Sequence, residues 1–549
     1  MGIGWLPEMG GQDDGGEEQG RARDGEEPLA EEWGLWLASS LGDLRDRRLL
    51  RVQRPTIALK SSTRALVPDA QLADWAAGIE PQGVVARYAG PASARSGSSA
   101  ASAAAAPRHG VSELTLFSTN DYLGLGSHPE VCAAAADAAL RLGMGPRSSA
   151  VVGGTTTLHR ELEEALADLK GTEDCLLFPT GFAANMAVVA SLCESGGCDV
   201  FSDELNHASI VDGARLAMRG GGGASAGPNR LHVYRHNDMA HLEQLLLAAT
   251  DSADSAQPAA NSASSVSIAS SAARGQQRGS GGSGSSAGAA GGQRQQQQQR
   301  SRHRRRLVVT DSLFSMDGDF AELRALAALR ARHGFMLVVD EAHATLVCGD
   351  TGAGAASAAG MSHCVDVHVG TLSKAAGALG GFVACTLDMK ALLLNKGRSY
   401  VYSTALPLPV VAAALTALRV SAREPWRRAH VWALAARLGR ALGVPALSPV
   451  VPLVLGGEVE ALAAAGALLT QHHMHVPAIR PPTVPQGTCR LRVSLSAGHS
   501  IADVDALAAA VSGLGLTLAA LPSLVRQAEE RRRPGAWSPE VGVGYGSRL

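Results

Sequence analysis

The sequence predicts an α/β fold in which a large domain with a mostly parallel sheet precedes a smaller α+β domain. Between residues 127 and 400, short apolar runs bounded by polar or glycine residues alternate with Ala- and Leu-rich stretches at helical spacing. This alternation is typical of buried parallel strands covered by helices. After residue 402 long helical stretches dominate, with strand-like runs only at 450–454 and 490–496. The change of pattern predicts the second domain.

The elements follow in order along the chain. In the large domain, helical spacing predicts helices over 127–142, 157–169 and 183–192. Short apolar runs predict buried strands over 175–178, 200–202, 232–234, 307–310, 336–339 and 365–369. In the small domain, helices are predicted over 409–422, 429–442 and 459–472.

The domain organisation is set by three stretches of biased composition. Residues 1–34 form an acidic, Gly-rich tail that we expect to be disordered, because it contains too little apolar surface to offset the entropy of ordering. Ser and Ala dominate 93–107, and Ser, Ala, Gly and Gln dominate 251–306. We expect 251–306 to be an insert in the large domain, since the cost of closing a loop grows only slowly with its length. Its basic end, 300–306, is interpreted as a solvated linker end rather than an RNA-binding patch.

The predicted domains follow from these stretches. A helix over 33–54, with apolar residues such as Trp36 and Leu41 at helical spacing, is expected to lie on the main body. This helix and the segment that connects it to the large domain together make up the predicted unit at 35–110. The remaining divisions are the large domain, the small domain and a flexible tail, at 111–400, 401–525 and 526–549.

Composition excludes several classes of protein. The formal net charge is −2, which argues against recognition of nucleic acid through global charge. We expect neither a membrane span nor a secreted protein, because no long apolar run and no secretory signal pattern occurs. The 8 cysteines are scattered and are interpreted as reduced core thiols. No metal site is predicted, and the histidine cluster at 472–475 is interpreted as a helix end leading into a loop.

The strongest chemical signal is a carboxylate and a lysine at the ends of two predicted strands. Asp340 ends the run LVVD, and Lys374 follows the next apolar run in a Gly- and Ala-rich setting. Alone, the sequence DEAH also suits a helicase box or a metal site, and a loop lysine is often only a surface residue. Together they suit pyridoxal phosphate (PLP): the amine forms a Schiff base, and the carboxylate keeps the pyridinium nitrogen protonated.

Three further features suit such a cofactor. Gly181 and Phe182 open a predicted helix after a strand, where free backbone amides favour an anion such as phosphate. His207 lies just beyond another strand, where its ring could stack on a pyridine, although most histidines in such positions are structural. Ser315 follows a further strand and could donate to the ring oxygen. Each feature is weak by itself.

Several ordered motifs then resemble one known family. They are NDYLGL (120–125), GGTTTLHRELE (153–163), PTGFAAN (179–185), DELNHAS (203–209), FSMDGD (314–319), VDEAHA (339–344), GTLSKAAG (370–377), YSTALP (402–407) and RPPTVPQGTCRLRVSLSAGH (480–499). The set resembles the α-oxoamine synthases, PLP-dependent transferases of fold type I that condense an amino acid with an acyl-CoA and release CO2. Ala344, where many relatives have Gly, and the 251–306 insert depart from the family pattern.

The resemblance implies a role for each matching residue. Lys374 would form the Schiff base and move the Cα proton, Asp340 would pair with the pyridinium nitrogen, and His207 would stack on the ring. Other cofactor contacts would come from His343 and Ser315 at the ring oxygen and from Gly181, Phe182, Thr371 and the partner subunit's Thr404 at the phosphate. Substrate contacts would come from Arg492 at the amino-acid carboxylate and from Arg51, Asn120 and Thr483. A residue supplied by a partner implies a homodimer with a shared active site.

Within the family, the motifs most resemble those of the members that use L-alanine and pimeloyl-CoA in biotin synthesis. Sibling activities on glycine or serine with other acyl-CoAs stay open, because one sequence does not assign the acyl pocket. A non-catalytic family partner is disfavoured by the presence of both Lys374 and Asp340. An RNA-binding protein acting through the Gln/Arg insert is a further alternative.

The location is predicted from the last three residues, Ser547, Arg548 and Leu549. They fit the small, basic, Leu pattern of a C-terminal peroxisomal signal. The acidic N-terminus does not resemble a mitochondrial transit peptide. We therefore expect a peroxisomal enzyme, with a cytosolic one as the alternative.

Overall fold

The structure is a computed structural model that describes residues 31–46, 54, 56–77, 110–219, 227–254 and 304–533. In these ranges the strands are, in chain order, β1 (Ala58–Ser61), β2 (Arg64–Pro68), β3 (Val111–Leu116), β4 (Asp174–Phe178), β5 (Cys198–Asp203), β6 (Arg230–Tyr234), β7 (Arg305–Asp311), β8 (Met336–Asp340), β9 (Val367–Thr371), β10 (Gly381–Cys385), β11 (Val450–Gly456), β12 (Met474–His475), β13 (Ala478–Ile479) and β14 (Cys489–Ser494). The α-helices of the same ranges are α1 (Glu31–Asp46), α2 (Asp69–Ala77), α3 (Pro129–Leu142), α4 (Thr157–Lys170), α5 (Gly181–Cys193), α6 (Ala208–Arg219), α7 (Met239–Asp254), α8 (Leu323–His333), α9 (Ala355–Ala358), α10 (Leu387–Lys396), α11 (Arg398–Val401), α12 (Leu408–Arg423), α13 (Trp426–Leu442), α14 (Glu458–His472), α15 (Ile501–Gly513) and α16 (Pro522–Arg531).

A seven-stranded sheet in the order β4-β10-β9-β8-β7-β5-β6 forms the centre of the described large domain. Strands β5 to β9 are parallel to one another, whereas β10 runs antiparallel to both β4 and β9. Apolar side chains from both faces of this sheet are buried in two core clusters, which explains the continuous apolar runs. The predicted mostly parallel α/β sheet is confirmed, although β10 was not predicted.

The parallel strands bring chemically active residues to one edge of the sheet. Asp203, Asp311, Asp340 and Thr371 are the last residues of β5, β7, β8 and β9. In the register of β7 and β8, Asp311 lies directly beside Asp340. Ligands bind beyond the carboxyl ends of strands in open α/β sheets, so this edge is the expected site.

Two smaller sheets complete the described fold, in the orders β1-β2-β3-β12 and β11-β14-β13. Strands β1 to β3 lie in or beside what the sequence suggested was only a helix and a connecting segment. Strand β12 follows the first histidines of 472–475 and pairs in parallel with β3, so this segment ends in a strand rather than a loop. Chain segments far apart in sequence therefore share one sheet, which local patterns do not reveal.

The end of the insert differs from its prediction as a solvated linker. Strand β7 already begins at Arg305, and Arg304 Nε donates to Asp199 Oδ2 at 2.7 Å. Arg305 donates to the carbonyl oxygens of Leu192 and Gly196 at 2.9 and 2.6 Å. The prediction of a linker end was wrong for these arginines, because their guanidinium groups bind carbonyl and carboxylate oxygens of neighbouring elements.

The N-terminal helix, within the described residues, is more exposed than predicted. Helix α1 covers Glu31–Asp46, and Trp33, Trp36 and Leu41 are 59%, 56% and 44% exposed. The predicted packing of this apolar face on the main body is therefore not seen within the described residues. Arg51 lies outside the described residues. None of the described helices combines the length and the apolar character that crossing a bilayer requires.

Candidate active site

Lys374 lies in the turn that follows β9, facing the carboxylates at the strand ends. Its carbonyl oxygen accepts from the amide of Gly377 at 2.8 Å, which closes the turn. Burial lowers the pKa of the Lys374 amine to about 8, and Asp340 and Asp311 oppose part of this shift. A lysine with this pKa is partly deprotonated near neutral pH and can act as a nucleophile or a base.

Asp340 is buried at the end of β8 and is held by two donors. Asn185 Nδ2 donates to its Oδ2 at 2.6 Å, and the amide of Ala342 donates to its Oδ1 at 2.8 Å. These bonds fix the carboxylate plane while leaving further lone pairs for a ligand. Sequence reasoning missed Asn185, which lies inside the PTGFAAN motif; its place one helical turn after Gly181 was the available signal.

Asp311 is a second buried carboxyl group beside Asp340, and it was also missed. Burial, followed by repulsion from Asp340, raises the pKa of Asp311 well above its ordinary value. Its Oδ2 accepts from the backbone amide of His207 at 2.8 Å. Burial and the neighbouring Asp340 therefore favour the neutral form of Asp311, whose carboxyl group anchors the His207 backbone.

His207 lies after β5, at the start of α6. Its Nδ1 is 2.7 Å from Ser209 Oγ and accepts from the Ser209 amide at 3.2 Å. Burial, together with the charge of Lys374, lowers the pKa of His207 despite the opposing effect of Asp340. The ring of Phe182 meets the His207 ring edge-on, with 6.4 Å between centroids. His207 is thus close to Lys374 and Asp340, as predicted for a residue beside the cofactor ring.

His343 and Arg492 are joined by a buried polar chain. His343 Nδ1 lies 2.7 Å from the Tyr122 hydroxyl, and Tyr122 donates to Asn120 Oδ1 at 3.3 Å. Burial lowers the pKa of His343 well below its ordinary value, and the charges of Lys374 and Arg492 act in the same direction. The imidazole is therefore neutral. Tyr122 was not singled out from the sequence.

Arg492 lies on β14 and reaches the site from the small domain. Its guanidinium donates to Asn120 Oδ1 at 3.1 Å, to Ser494 Oγ at 2.7 Å and to the carbonyl oxygen of Ser315. These bonds fix the position of a cation that is only 5% exposed, and a guanidinium group is well suited to bind a carboxylate. The structure therefore brings Asn120, Ser315 and Arg492 together, as the resemblance implied.

The turn into α5 forms a cradle for an anion. Thr180 caps the helix by accepting from the amide of Ala183 at 3.0 Å, while Gly181 and Phe182 occupy its first positions. A Cβ atom on Gly181 would lie 3.2 Å from the Cβ of Thr371, so glycine allows close approach to the end of β9. Amides at a helix N-terminus suit a phosphate. With Lys374 and Asp340, this donor set fits PLP.

Two predicted residues lie apart from this cluster. Thr404 is exposed and forms an antiparallel bridge with Ser149. Thr483 is also exposed, and its amide donates to the carbonyl oxygen of Arg480 at 3.0 Å. Neither the bridge of Thr404 nor the hydrogen bond of Thr483 involves Lys374 or Asp340.

A third group of titratable residues lies beside the site. Ligand-capable atoms of His236, Asp317 and Asp319 lie within 4.8 Å of one another. His236, however, is 3.0 Å from Asp203 Oδ1 and 2.8 Å from Asp319 Oδ2, and Asp317 pairs with Arg490. Two carboxylates raise the pKa of His236 to about 10 against the opposing effect of burial. In this geometry the histidine lies between two carboxylates as part of an ion-pair network.

Comparison with known proteins agrees with this geometry. Residues 112–511 match the family model for aminotransferase class I and II. An 8-amino-7-oxononanoate synthase of Arabidopsis thaliana is 44% identical over 73% of this chain and 74% of its own length. One of Anaeromyxobacter sp. (strain K) is 44% identical over 75% of this chain and 88% of its own length. The solved serine palmitoyltransferase of Sphingomonas wittichii is 26% identical, with a TM-score of 0.63, over 88% of this chain and 97% of that one.

These relatives confirm both the resemblance and the fold type inferred from the motifs. The identity to the curated relatives extends over about three quarters of the chain, and the family model spans both the large domain and most of the small one. The chain therefore belongs to the aminotransferase class I and II family of PLP-dependent enzymes and, within it, to the family of the 8-amino-7-oxononanoate synthases.

Proposed function

We propose that this chain condenses L-alanine with pimeloyl-CoA to give 8-amino-7-oxononanoate, CoA and CO2, a step of biotin synthesis. The observation that carries the proposal is the convergence of Lys374, Asp340 and Arg492 in one site of a chain that is 44% identical to curated synthases of this name. The activity is an acyl transfer to carbon, dependent on PLP.

The residues divide the chemistry among them. Bound PLP supplies an electron sink for the bonds broken at the alanine Cα. Lys374, with a pKa of about 8, takes the proton from Cα and later returns one. Arg492 holds the alanine carboxylate and so orients the Cα substituents. The Cα atom bonds to the acyl carbonyl carbon, the CoA thiol leaves, and the carboxyl group departs as CO2.

A product assay tests this function. Purified protein is supplied with L-alanine, glycine or L-serine in all combinations with acetyl-, succinyl-, pimeloyl- and palmitoyl-CoA. Formation of 8-amino-7-oxononanoate as the preferred product, and growth of a biotin auxotroph blocked at this step, are the expected results. Preferred turnover of serine with palmitoyl-CoA, or of glycine with a short acyl-CoA, would assign the chain to a sibling activity instead.

We further propose that the active protein is a homodimer in which Thr404 completes the neighbouring subunit's site. Thr404 is exposed, and the exposed side chains of Tyr402, Val151 and Val152 lie on the same surface, because Thr404 pairs with Ser149. An exposed apolar patch next to an active-site edge is a feature of protein interfaces. We propose that a second copy of this chain covers this surface.

Mixed dimers test the shared site. A Lys374→Ala chain co-expressed with a Thr404→Asp chain should form heterodimers with one intact site, so part of the activity returns. The matched control is Lys374→Ala co-expressed with Arg492→Ala. Lys374 and Arg492 each serve the site of their own subunit, so neither site of this heterodimer is intact. Equal inactivity of the two mixtures, with heterodimers present, would show that Thr404 serves its own subunit.

We also propose that the enzyme resides in peroxisomes. The support is the Ser547-Arg548-Leu549 ending, which lies outside the described residues, and the proposal applies to a chain that ends at Leu549. A fluorescent fusion at the N-terminus should give peroxisomal puncta, and one after Leu549 should give diffuse signal. Diffuse signal from the N-terminal fusion in import-competent cells would favour the cytosol.

A further inference from the structure

Two buried polar residues connect the carboxylate of Asp340 with the ring of His207. Asn185 Nδ2 donates to Asp340 Oδ2 at 2.6 Å and also lies 2.9 Å from Ser209 Oγ. Ser209 Oγ in turn lies 2.7 Å from His207 Nδ1. Asn185 is 1% exposed and Ser209 is not exposed at all, so solvent does not compete for these bonds.

The direction of every bond in this chain can be derived. A carboxylate accepts only, so the atom of Asn185 that faces Asp340 must be the amide nitrogen. The same nitrogen donates to Ser209 Oγ, whose own hydrogen is then available for His207 Nδ1. The Ser209 backbone amide also donates to Nδ1 at 3.2 Å. Because Nδ1 accepts twice, the proton of a neutral His207 ring must be on Nε2.

We propose that Asn185 and Ser209 are positioning residues that fix His207 in the neutral tautomer with its proton on Nε2 and tie its orientation to Asp340. Asp340, which would pair with the pyridinium nitrogen of PLP, and His207, which would stack on its ring, are thereby held as one unit. The inference rests on PLP binding at Lys374 but not on the identity of the substrates.

Close helix packing sets the spacing that this connection needs. Asn185 is on α5 and Ser209 is on α6. On Gly213 of α6, a Cβ atom would lie 3.3 Å from the Cβ of Val189 and 3.4 Å from the Asn185 carbonyl oxygen. Glycine at this position therefore lets the two helices approach closely enough for an amide and a hydroxyl to meet.

The proposal predicts a change in the protonation of His207. Donors to Nδ1 stabilise the neutral ring, so their loss favours the imidazolium. The charged or titratable groups around His207 are Lys374, Asp340, Asp311 and His343, and all of them remain in a Ser209→Ala variant. The variant should therefore move the acid limb of kcat/KM to higher pH, by about one pH unit for one lost hydrogen bond.

The second readout is independent of turnover. Loss of the Asn185 bond makes the Asp340 carboxylate more basic and draws the pyridinium proton toward it. In Asn185→Ala, the pH midpoint of the PLP absorbance change should therefore rise, by about one pH unit. The double variant should shift the acid limb by less than the sum of the single variants, because the two residues act as one chain.

Ser191→Ala is the matched control, since Ser191 is a buried serine on the same helix as Asn185 whose hydroxyl has no partner among the described residues. It should leave the acid limb and the absorbance midpoint unchanged. The inference is overturned if, in folded and PLP-loaded protein, Ser209→Ala matches Ser191→Ala in the acid limb or Asn185→Ala matches it in the absorbance midpoint. Because the absorbance titration needs no substrate, its outcome stays the same if the acyl-CoA or the amino acid differs from the one proposed.

Discussion

The chemistry of the site depends on how individual groups are charged. Burial brings the pKa of Lys374 down to about 8, whereas burial and Asp340 raise that of Asp311 well above its usual range. At neutral pH these shifts favour a neutral Asp311 and a lysine that can lose its proton. Such opposite shifts within one cluster are the expected signature of a catalytic site.

The first prediction concerns the Lys374 amine. Only the deprotonated amine attacks an aldehyde, so the rate at which apoprotein takes up PLP should rise with pH, with a midpoint near 8 rather than near the usual lysine value of 10.5. Stopped-flow absorbance measures this rate. Borohydride should then fix the cofactor on Lys374, and Lys374→Ala should abolish both labelling and turnover. Recovery of the label on another lysine would contradict the assignment.

The second prediction separates the two neighbouring carboxyl groups. Burial and Asp340 favour the neutral form of Asp311, whose Oδ2 accepts from the His207 amide, and an asparagine side chain keeps that acceptor. Asp311→Asn should therefore keep kcat within a few-fold of the parent. Asp340→Asn removes the charge opposite the cofactor nitrogen and should lower kcat by about 100-fold or more. The two variants are compared at equal PLP occupancy, and an equal loss in both would show that Asp311 is also ionised.

At the scale of elements, the ends of the insert lie side by side. Arg306 donates to Thr250 Oγ1, and its Nη1 also donates to the His333 carbonyl oxygen at 3.0 Å. The last described residue before the gap is Asp254 and the first after it is Arg304. A short connection can therefore close the large domain at this point.

The third prediction compares two deletions of the insert. Replacing 255–303 with a short Gly/Ser connection should leave turnover within a few-fold, because the replaced stretch contains almost no large apolar residues. Replacing 251–306 also removes Arg304, whose guanidinium binds the buried Asp199, and should lower the thermal midpoint. Circular dichroism and turnover assays on both forms measure the difference. Loss of fold in the shorter deletion would show that 255–303 packs on the domain.

At the scale of the whole molecule, a buried ion pair ties the active-site loop to the surrounding helices. Lys170, at the end of α4, donates to Glu341 Oε2 at 2.7 Å, to Thr345 Oγ1 at 3.0 Å and to the Ala353 carbonyl oxygen at 2.6 Å. Glu341 directly follows Asp340. Despite its burial, Lys170 and His368 lower the pKa of Glu341 to about 2.

The fourth prediction tests this pair. Lys170→Met leaves a buried carboxylate without its partner and should lower the free energy of unfolding by about 3–5 kcal/mol. Lys396→Met is the control, since Lys396 pairs with Glu194 at the surface. This substitution should lower the free energy of unfolding by at most about 1 kcal/mol. Chemical denaturation of the PLP-loaded forms measures both. Similar costs in the two variants would contradict a special role for the buried pair.

The pH dependence of the pair has a definite sign. The pKa of Glu341 is lowered on folding, so its contribution to stability is complete above about pH 4.5 and disappears as the pH falls toward 2. Glu341→Gln should therefore flatten the stability curve of the folded protein within that window.

Much of the fold and part of the site could be predicted from the sequence by itself. Apolar periodicity located the main helices and the six strands β4 to β9, because burial of one helix face or of a whole strand leaves a local pattern. Ordered motifs pointed to Lys374, Asp340, His207, His343 and Arg492 through the resemblance to one family, and the structure brings these residues close to one another. Two predictions were wrong: the packing of α1 on the main body, and the assignment of Arg304–Arg306 to a linker.

The remaining features were decided only by tertiary structure. The direction of β10, the pairing of β12 with β3 and the register that sets Asp311 beside Asp340 depend on contacts between residues far apart in sequence. The same is true of Asn185 and Ser209, whose polar side chains look ordinary in a helix. Their role comes from a hydrogen-bond chain closed by three separate elements, and charge states within it depend on burial, which no local pattern encodes.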